Sequence, residues 1–159
     1  MEDYVSGGLF APKSILHAVA PSQKEFRSED AFKEMPVYIT QTFHRLYIGK
    51  IESASLGETL EISTVARASN VVEAYNAFGP RACTTLYQFH YILSEQIRIG
   101  IKALSASLDC TNVFFIKGRD GKVHPACIKC LGSGHWKVYA NHLIPEAPLG
   151  KGDQIFSLT

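Results

Sequence analysis

Charge is scarce and balanced in this sequence. Charged residues make up 19% of 159, and 16 lysines and arginines face 15 acidic residues, for a net charge of +1. Roughly 25% charged is usual. A surface with no dominant sign excludes the long-range basic field of a phosphate-tracking protein, so nucleic acid is not expected as the main partner. It equally excludes an acidic disordered tail. No run approaches the roughly 18 consecutive apolar residues of a membrane helix, and no membrane partner is expected. Met1 to Phe10 carry Glu2 and Asp3 and lack a basic start and an apolar stretch, so no secretory signal is expected. Internal repeats and low-complexity tracts are absent. The glycines match no phosphate loop, because Gly118-Arg119-Asp120-Gly121 lacks the Lys-Ser/Thr that such a loop needs.

What is present is apolar. At 46% hydrophobic residues the chain has enough material for a core, and its length fits one domain, 1–159. The four cysteines, Cys83, Cys110, Cys127 and Cys130, are not needed as staples in a chain this large. They are read as reduced thiols in a cytoplasmic protein, available as packing residues, metal ligands or nucleophiles.

The pattern along the chain predicts an α+β fold, with a long central helix packed on an antiparallel β-sheet and a C-terminal β-meander. Residues 1–35 are the least regular. A short helix is expected after Pro12, through Ile15, Leu16 and Val19. Another is expected with Ser28 as N-cap, carrying Phe32 and Met35 and ended by Pro36. Residues 37–67 read as strands: Val37, Ile39 and Phe43 alternate with polar neighbours, Leu46 and Ile48 continue with a step of two, as one long strand or two short ones, and Thr59 to Arg67 form a further strand. Residues 69–107 read as helices, the first capped by Ser69 and broken at Gly79-Pro80, the second from about Ala82 to Ser107 on the stripe of Leu86, Phe89, Leu93, Ile97, Ile101 and Leu104. Residues 112–144 read as a β-meander, with a hairpin signal at Asp120-Gly121 and a turn at Gly132-Ser133-Gly134. Ile155, Phe156 and Leu158 are expected to dock.

Three constellations carry chemistry. Cys83 falls where the long helix is expected to start, and a thiol there would feel the positive helix end and free N–H groups, both of which favour thiolate. Its alternative is a small buried apolar residue. His135 leads a strand after a glycine turn, and Asn141 shares its face further along. A thiol, an imidazole and an orienting polar group form the minimum set for thiol hydrolysis.

Ala82-Cys83-Thr84, Gly134-His135-Trp136 and Asn141, with the helix-then-meander order over about 76–145, resemble papain-like cysteine peptidases. The likeness is to the compact viral leader or self-releasing type and to small bacterial amidases. The resemblance implies that Cys83 attacks a peptide or amide carbonyl, His135 shuttles the proton and Asn141 orients it. The Cys83 backbone N–H would serve the oxyanion, with Asn76 a side-chain candidate. His124, in Val123-His124-Pro125, is the alternative base. Thr84 stands where many such enzymes carry an aromatic residue.

The third constellation is His124-x2-Cys127-x2-Cys130-x4-His135, with His142 further on. This is metal-ligand spacing, and zinc is the cofactor it would take. Cys127, Cys130 and Gly134-His135 also resemble the front of a retroviral-type zinc knuckle, although Ala140 stands where its final cysteine would fall. That likeness implies a single-stranded nucleic-acid surface of Lys129, Trp136 and Lys137. Against it, residues at i and i+3 in a strand point to opposite faces, which would make Cys127 and Cys130 unrelated packing thiols. A thiol hydrolase with a polypeptide substrate is therefore the first expectation. A zinc-stabilised binding module, or a non-catalytic viral, assembly or inhibitor protein that binds a protein partner and oligomerises, is the alternative.

Overall fold

The computed structural model describes residues 8–159. In chain order its elements are β1 (Ile15–Val19), β2 (Phe26–Arg27), α1 (Ser28–Lys33), β3 (Tyr38–Ile39), α2 (Gln41–Tyr47), β4 (Ile51–Glu52), β5 (Glu58–Thr64), β6 (Ser69–Asn70), α3 (Val71–Phe78), β7 (Cys83–Thr84), α4 (Leu86–Ile99), β8 (Asn112–Lys117), β9 (Val123–Gly132), β10 (His135–Ala140), β11 (Pro148–Leu149) and β12 (Gln154–Leu158). Eight strands form one sheet in the order β1-β5-β12-β8-β9-β10-β3, with β7 also paired to β8. The pairs β12–β8, β7–β8 and β10–β3 are parallel and the others antiparallel. The sheet is thus mixed, which corrects the expectation of a wholly antiparallel one. The run β8-β9-β10 is an antiparallel meander within it.

Alternation on the central strand divides the interior. Phe114, Ile116 and Phe156 face a core shared with α1, α2 and α4, whereas Val113, Phe115 and Ile155 face a smaller core under α3. The rings of Phe114 and Phe156 stack at 4.2 Å between neighbouring strands. The expected dock of Ile155, Phe156 and Leu158 is an inserted strand, lying between β5 and β8.

Several local expectations are corrected. Ile15–Val19 is a strand and not a helix. Of the segment 1–35, residues 1–7 lie outside the described residues. Ser28 does not cap α1. It is buried, donates to the Tyr47 carbonyl (2.8 Å) and accepts from the Gly49 and Lys50 N–H groups (2.9 Å each). Within 37–51 the period-two reading fails, because Gln41–Tyr47 is helical. Phe43, Leu46 and Tyr47 fall at helical spacing and are all buried, and the Thr40 hydroxyl accepts from the Phe43 N–H. Asn70, one residue after Ser69, caps α3 through its carbonyl oxygen to the Glu73 N–H (2.9 Å). The long helix is shorter than the 82–107 expected. It begins only after Thr85 and ends at Gly100, whose φ of 70° is the left-handed conformation that glycine adopts freely. Cys83 and Thr84 are extended because they pair with Phe115 and Ile116 of β8.

Tyr47 ties these layers together. Its ring is buried among Phe43 and the α4 core, and its hydroxyl reaches the carbonyls of Ile116 (2.9 Å) and His124 (3.0 Å) on adjacent strands. Burial pushes the phenol far above its ordinary range, so it stays a donor. Tyr47→Phe is expected to cost about 1–3 kcal/mol, because it leaves a buried carbonyl without its donor. A urea midpoint unchanged in this variant would show that the hydroxyl does not hold α2 to the sheet.

Candidate functional site

The start of α4 is where a nucleophilic thiol is expected from the sequence. Thr85 and Gln88 form a reciprocal cap, with the Gln88 N–H on the Thr85 hydroxyl (3.1 Å) and the Thr85 N–H on the Gln88 side-chain oxygen (2.9 Å). The Leu86 and Tyr87 N–H groups both donate to the Glu52 carboxylate (2.9 Å each), which also pairs with the Lys50 ammonium (3.0 Å). Every N–H that a helix leaves open at its start is therefore filled, and the positive helix end already faces a carboxylate. Nothing remains there to stabilise a thiolate or an oxyanion.

Cys83 itself lies before the helix, on β7, and is half-buried. Burial pushes its thiol up, and the ammonium groups of Lys50 and Lys117 offset only part of that rise. This corrects the expectation of a thiol at the first helical turn with a lowered pKa.

Strand register separates Cys83 from His135. Cys83 is level with Phe115 and, through it, with Pro125, whereas His135 pairs with Gly132 at the far end of β9. With three strand spacings across and the length of β9 from 125 to 132 along, the two Cα atoms are roughly 25 Å apart. His135 is exposed, its Nδ1 lies 3.2 Å from the Gly132 carbonyl, and it borders a groove with Met35, Tyr38 and Trp136. The Gly132-Ser133-Gly134 turn that carries it has φ of 96°, 52° and 76° in succession, a path that needs glycine at its two ends. Asn141 sits near the opposite end of β10, with its N–H on the Pro125 carbonyl (3.0 Å). The expected trio Cys83, His135 and Asn141 is not brought together.

His124 stands in a different environment. It is 8% exposed at the start of β9, and its Nε2 lies 2.7 Å from the Asp120 carboxylate across the hairpin. Asp120 is held below the usual carboxylate range, first by the Lys122 N–H and then by His124. An ionised carboxylate accepts, so the assigned tautomer carries hydrogen on Nε2. Nδ1 is then a lone pair, buried and without a partner. The His142 ring is 6.2 Å away, and both border a groove of about 580 Å³ with Tyr75 and Leu143. His124 and Cys83 lie two strands apart, about 10 Å between Cα atoms, with side chains on opposite faces by alternation.

The zinc set is also dispersed. Cys127 belongs to the core under α3 and Cys130 to the core under α4, on opposite faces of β9. Burial pushes the Cys127 thiol up to about 12, far from a ready thiolate ligand. Among the described residues no three His, Cys, Asp or Glu side chains converge to hold a metal ion. The grouping of His124, Cys127, Cys130 and His135 around zinc is corrected accordingly.

Comparison with protein-family models, with curated proteins and with solved structures returns no match. Two features of this region escaped the sequence reading. Asp120 reads as a turn residue in the sequence, although its spacing of four from His124 across a hairpin signals a pair. Glu52 offers no local signal, because the N–H groups it accepts lie 34 and 35 residues away.

Glu52→Ala is expected to lower stability by about 2 kcal/mol, since it empties two helix-start N–H groups and leaves Lys50 without its carboxylate. Thermal unfolding of this variant beside Glu52→Gln checks it. Equal stability of wild type and Glu52→Ala would mean that the Thr85–Gln88 cap suffices.

Proposed function

We propose that the chain is a non-catalytic protein-binding module that docks a polypeptide as an added strand on the free edge of its sheet. The supporting observation is β1. Among the described residues it ends the eight-stranded sheet, it carries neither charge nor proline from Ile15 to Val19, and Ile15 and Leu16 are 61% and 63% exposed. An edge strand presents a row of unpaired N–H and C=O groups, and proteins that do not use such an edge shorten it, charge it or interrupt it with proline. The opposite edge follows that practice, since β3 is two residues long. β1 does not. Strand addition supplies main-chain hydrogen bonds for affinity and side-chain contacts for selectivity.

A second reading keeps the thiol hydrolase and moves its base from His135 to His124. It is favoured by the Asp120–His124 pair, which orients the ring and leaves Nδ1 without a partner. It requires Cys83 to cross from the other face of the sheet and to lose the burial that holds it protonated.

Two experiments separate these readings. A photo-crosslinking amino acid at His17 in β1 is expected to capture a polypeptide far more efficiently than one at exposed Lys151. Equal yields at both positions would sink the docking reading. Iodoacetamide near neutral pH is expected to modify Cys83 no faster than Cys110, with the Cys83 rate rising only as alkaline pH passes its raised pKa, and with no effect of His124→Ala. Fast Cys83 labelling that disappears in His124→Ala would instead favour the hydrolase.

A further inference from the structure

We infer that the open face of β9, β10 and β3 binds single-stranded nucleic acid, with its tyrosines against the bases and its lysines on the phosphates. This face lies at the β3 margin of the sheet, away from β1, and does not rest on the strand-docking reading. Strand register builds it. Lys129 pairs with Lys137 and Lys137 with Tyr38, so the three stand in one row across β9, β10 and β3, roughly 5 Å apart from strand to strand. Tyr139 follows on the same face two residues along β10, level with Cys127. α3 covers this side of the sheet over Val113, Phe115 and Ile155. Toward the margin, by contrast, Lys129, Lys137 and Tyr139 are half-buried and Tyr38 is 62% exposed. Trp136, expected beside the two lysines, alternates to the other face and is 6% exposed, so it takes no part. Tyr38 supplies an aromatic ring in its place.

The second ring is pinned. The Tyr139 hydroxyl lies 3.1 Å from that of Thr111 at the head of β8, two strands away, so the side chain lies down across β9 and turns one ring face outward. The Lys137 ammonium sits over this ring, 5.2 Å from its centroid. A ring face that already attracts a cation can exchange it for a base, and the freed ammonium then takes a phosphate. Burial of the phenol pushes its pKa up, so it stays neutral beside that phosphate. Charge fits the same occupant. Of the strand positions on this face, Tyr38, Cys127, Lys129, Lys137 and Tyr139, none is acidic. Asp153, whose charge reaches Tyr139, is 7% exposed and already accepts from the Thr111 and Gly150 N–H groups (2.8 Å each). The near-zero net charge of the whole chain therefore hides a local cationic row. An acidic peptide would satisfy the lysines and leave both rings without a partner. Planar bases alternating with phosphates match both.

The experiment is fluorescence anisotropy of fluorescein-labelled thymidine and uridine decamers, titrated with the full chain at low salt. Binding on the order of tens of micromolar is expected, the range of contact with nucleic acid that reads no sequence. The contacts reach bases and phosphates and no sugar, so the DNA and RNA decamers are expected to bind alike. Tyr38→Ala is expected to weaken binding roughly fivefold or more, the loss of one stacked base, with the circular dichroism spectrum unchanged because the side chain is exposed. Lys129→Gln combined with Lys137→Gln is expected to flatten the slope of log K against log salt by about 1.4, or about 0.7 for each lost phosphate contact. Lys151→Gln, an exposed lysine elsewhere, is expected to change neither reading. Absence of binding throughout the titration overturns the proposal, as does binding indifferent to Tyr38→Ala or a salt slope unchanged in the lysine pair. Binding of only one of the two decamers overturns the sugar-blind contact set. A glutamate decapeptide that competes as well as unlabelled thymidine decamer overturns the proposal in favour of an acidic peptide. None of these outcomes bears on crosslinking at β1, so the two readings fail separately.

Discussion

The fold depends on β8 being apolar on both sides. Asn112 to Ile116 are all buried, with Phe114 and Ile116 facing one core and Val113 and Phe115 the other. A strand covered on both faces needs partners on both edges, because its main-chain groups have no water to turn to. β9 takes one edge, and β12 and β7 share the other end to end. The position of Cys83 follows from this. Its residue is drafted to complete the β8 edge, so it is held extended and cannot occupy the first turn of α4.

The helix start that the thiol vacates is closed by electrostatics. Glu52 accepts two N–H groups and pairs with Lys50, whose ammonium also donates to the Lys117 carbonyl. One carboxylate thus links β4, α4 and the end of β8. A carboxylate at this place stabilises the helix through its dipole and fills the groups that an anionic substrate or transition state would need. Stability and anion chemistry compete for the same two N–H groups here, and stability holds them.

The sequence was most legible where periodicity and turn chemistry agree. The meander of β8, β9 and β10 follows from Asp120-Gly121, the Gly132-Ser133-Gly134 turn and the β-branched runs between them, and the core stripe of α4 follows from Leu86, Phe89 and Leu93. The expectation failed where one stretch satisfies two periods. Phe43, Leu46 and Ile48 fit a loose strand, yet Phe43, Leu46 and Tyr47 fit a helix, and the Thr40 cap decides it. It also failed where the deciding contact is distant. Neither the Glu52 bonds to α4 nor the pairing of β7 with β8 leaves a mark within a local window. The candidate site was misread for a related reason. Spacing brings Cys127 near Cys130 in sequence, but the two-residue repeat of a strand sends them into separate cores. His135 suggested a base by leading a strand, yet its strand leads away from the thiol.

One feature of the topology bears on how the chain assembles itself. β5 and β1 reach the rest of the sheet only through β12, and roughly 90 residues of chain (64 to 154) lie between β5 and the strand that secures it. Closing so long a loop is slow relative to forming helices or the β8–β9–β10 hairpins. Until it closes, β5 and β8 each show an unsatisfied edge. An immature chain therefore offers a neighbouring strand two places that the finished sheet closes. The timing of β12 insertion then governs how long those inner edges stay open to a neighbouring chain.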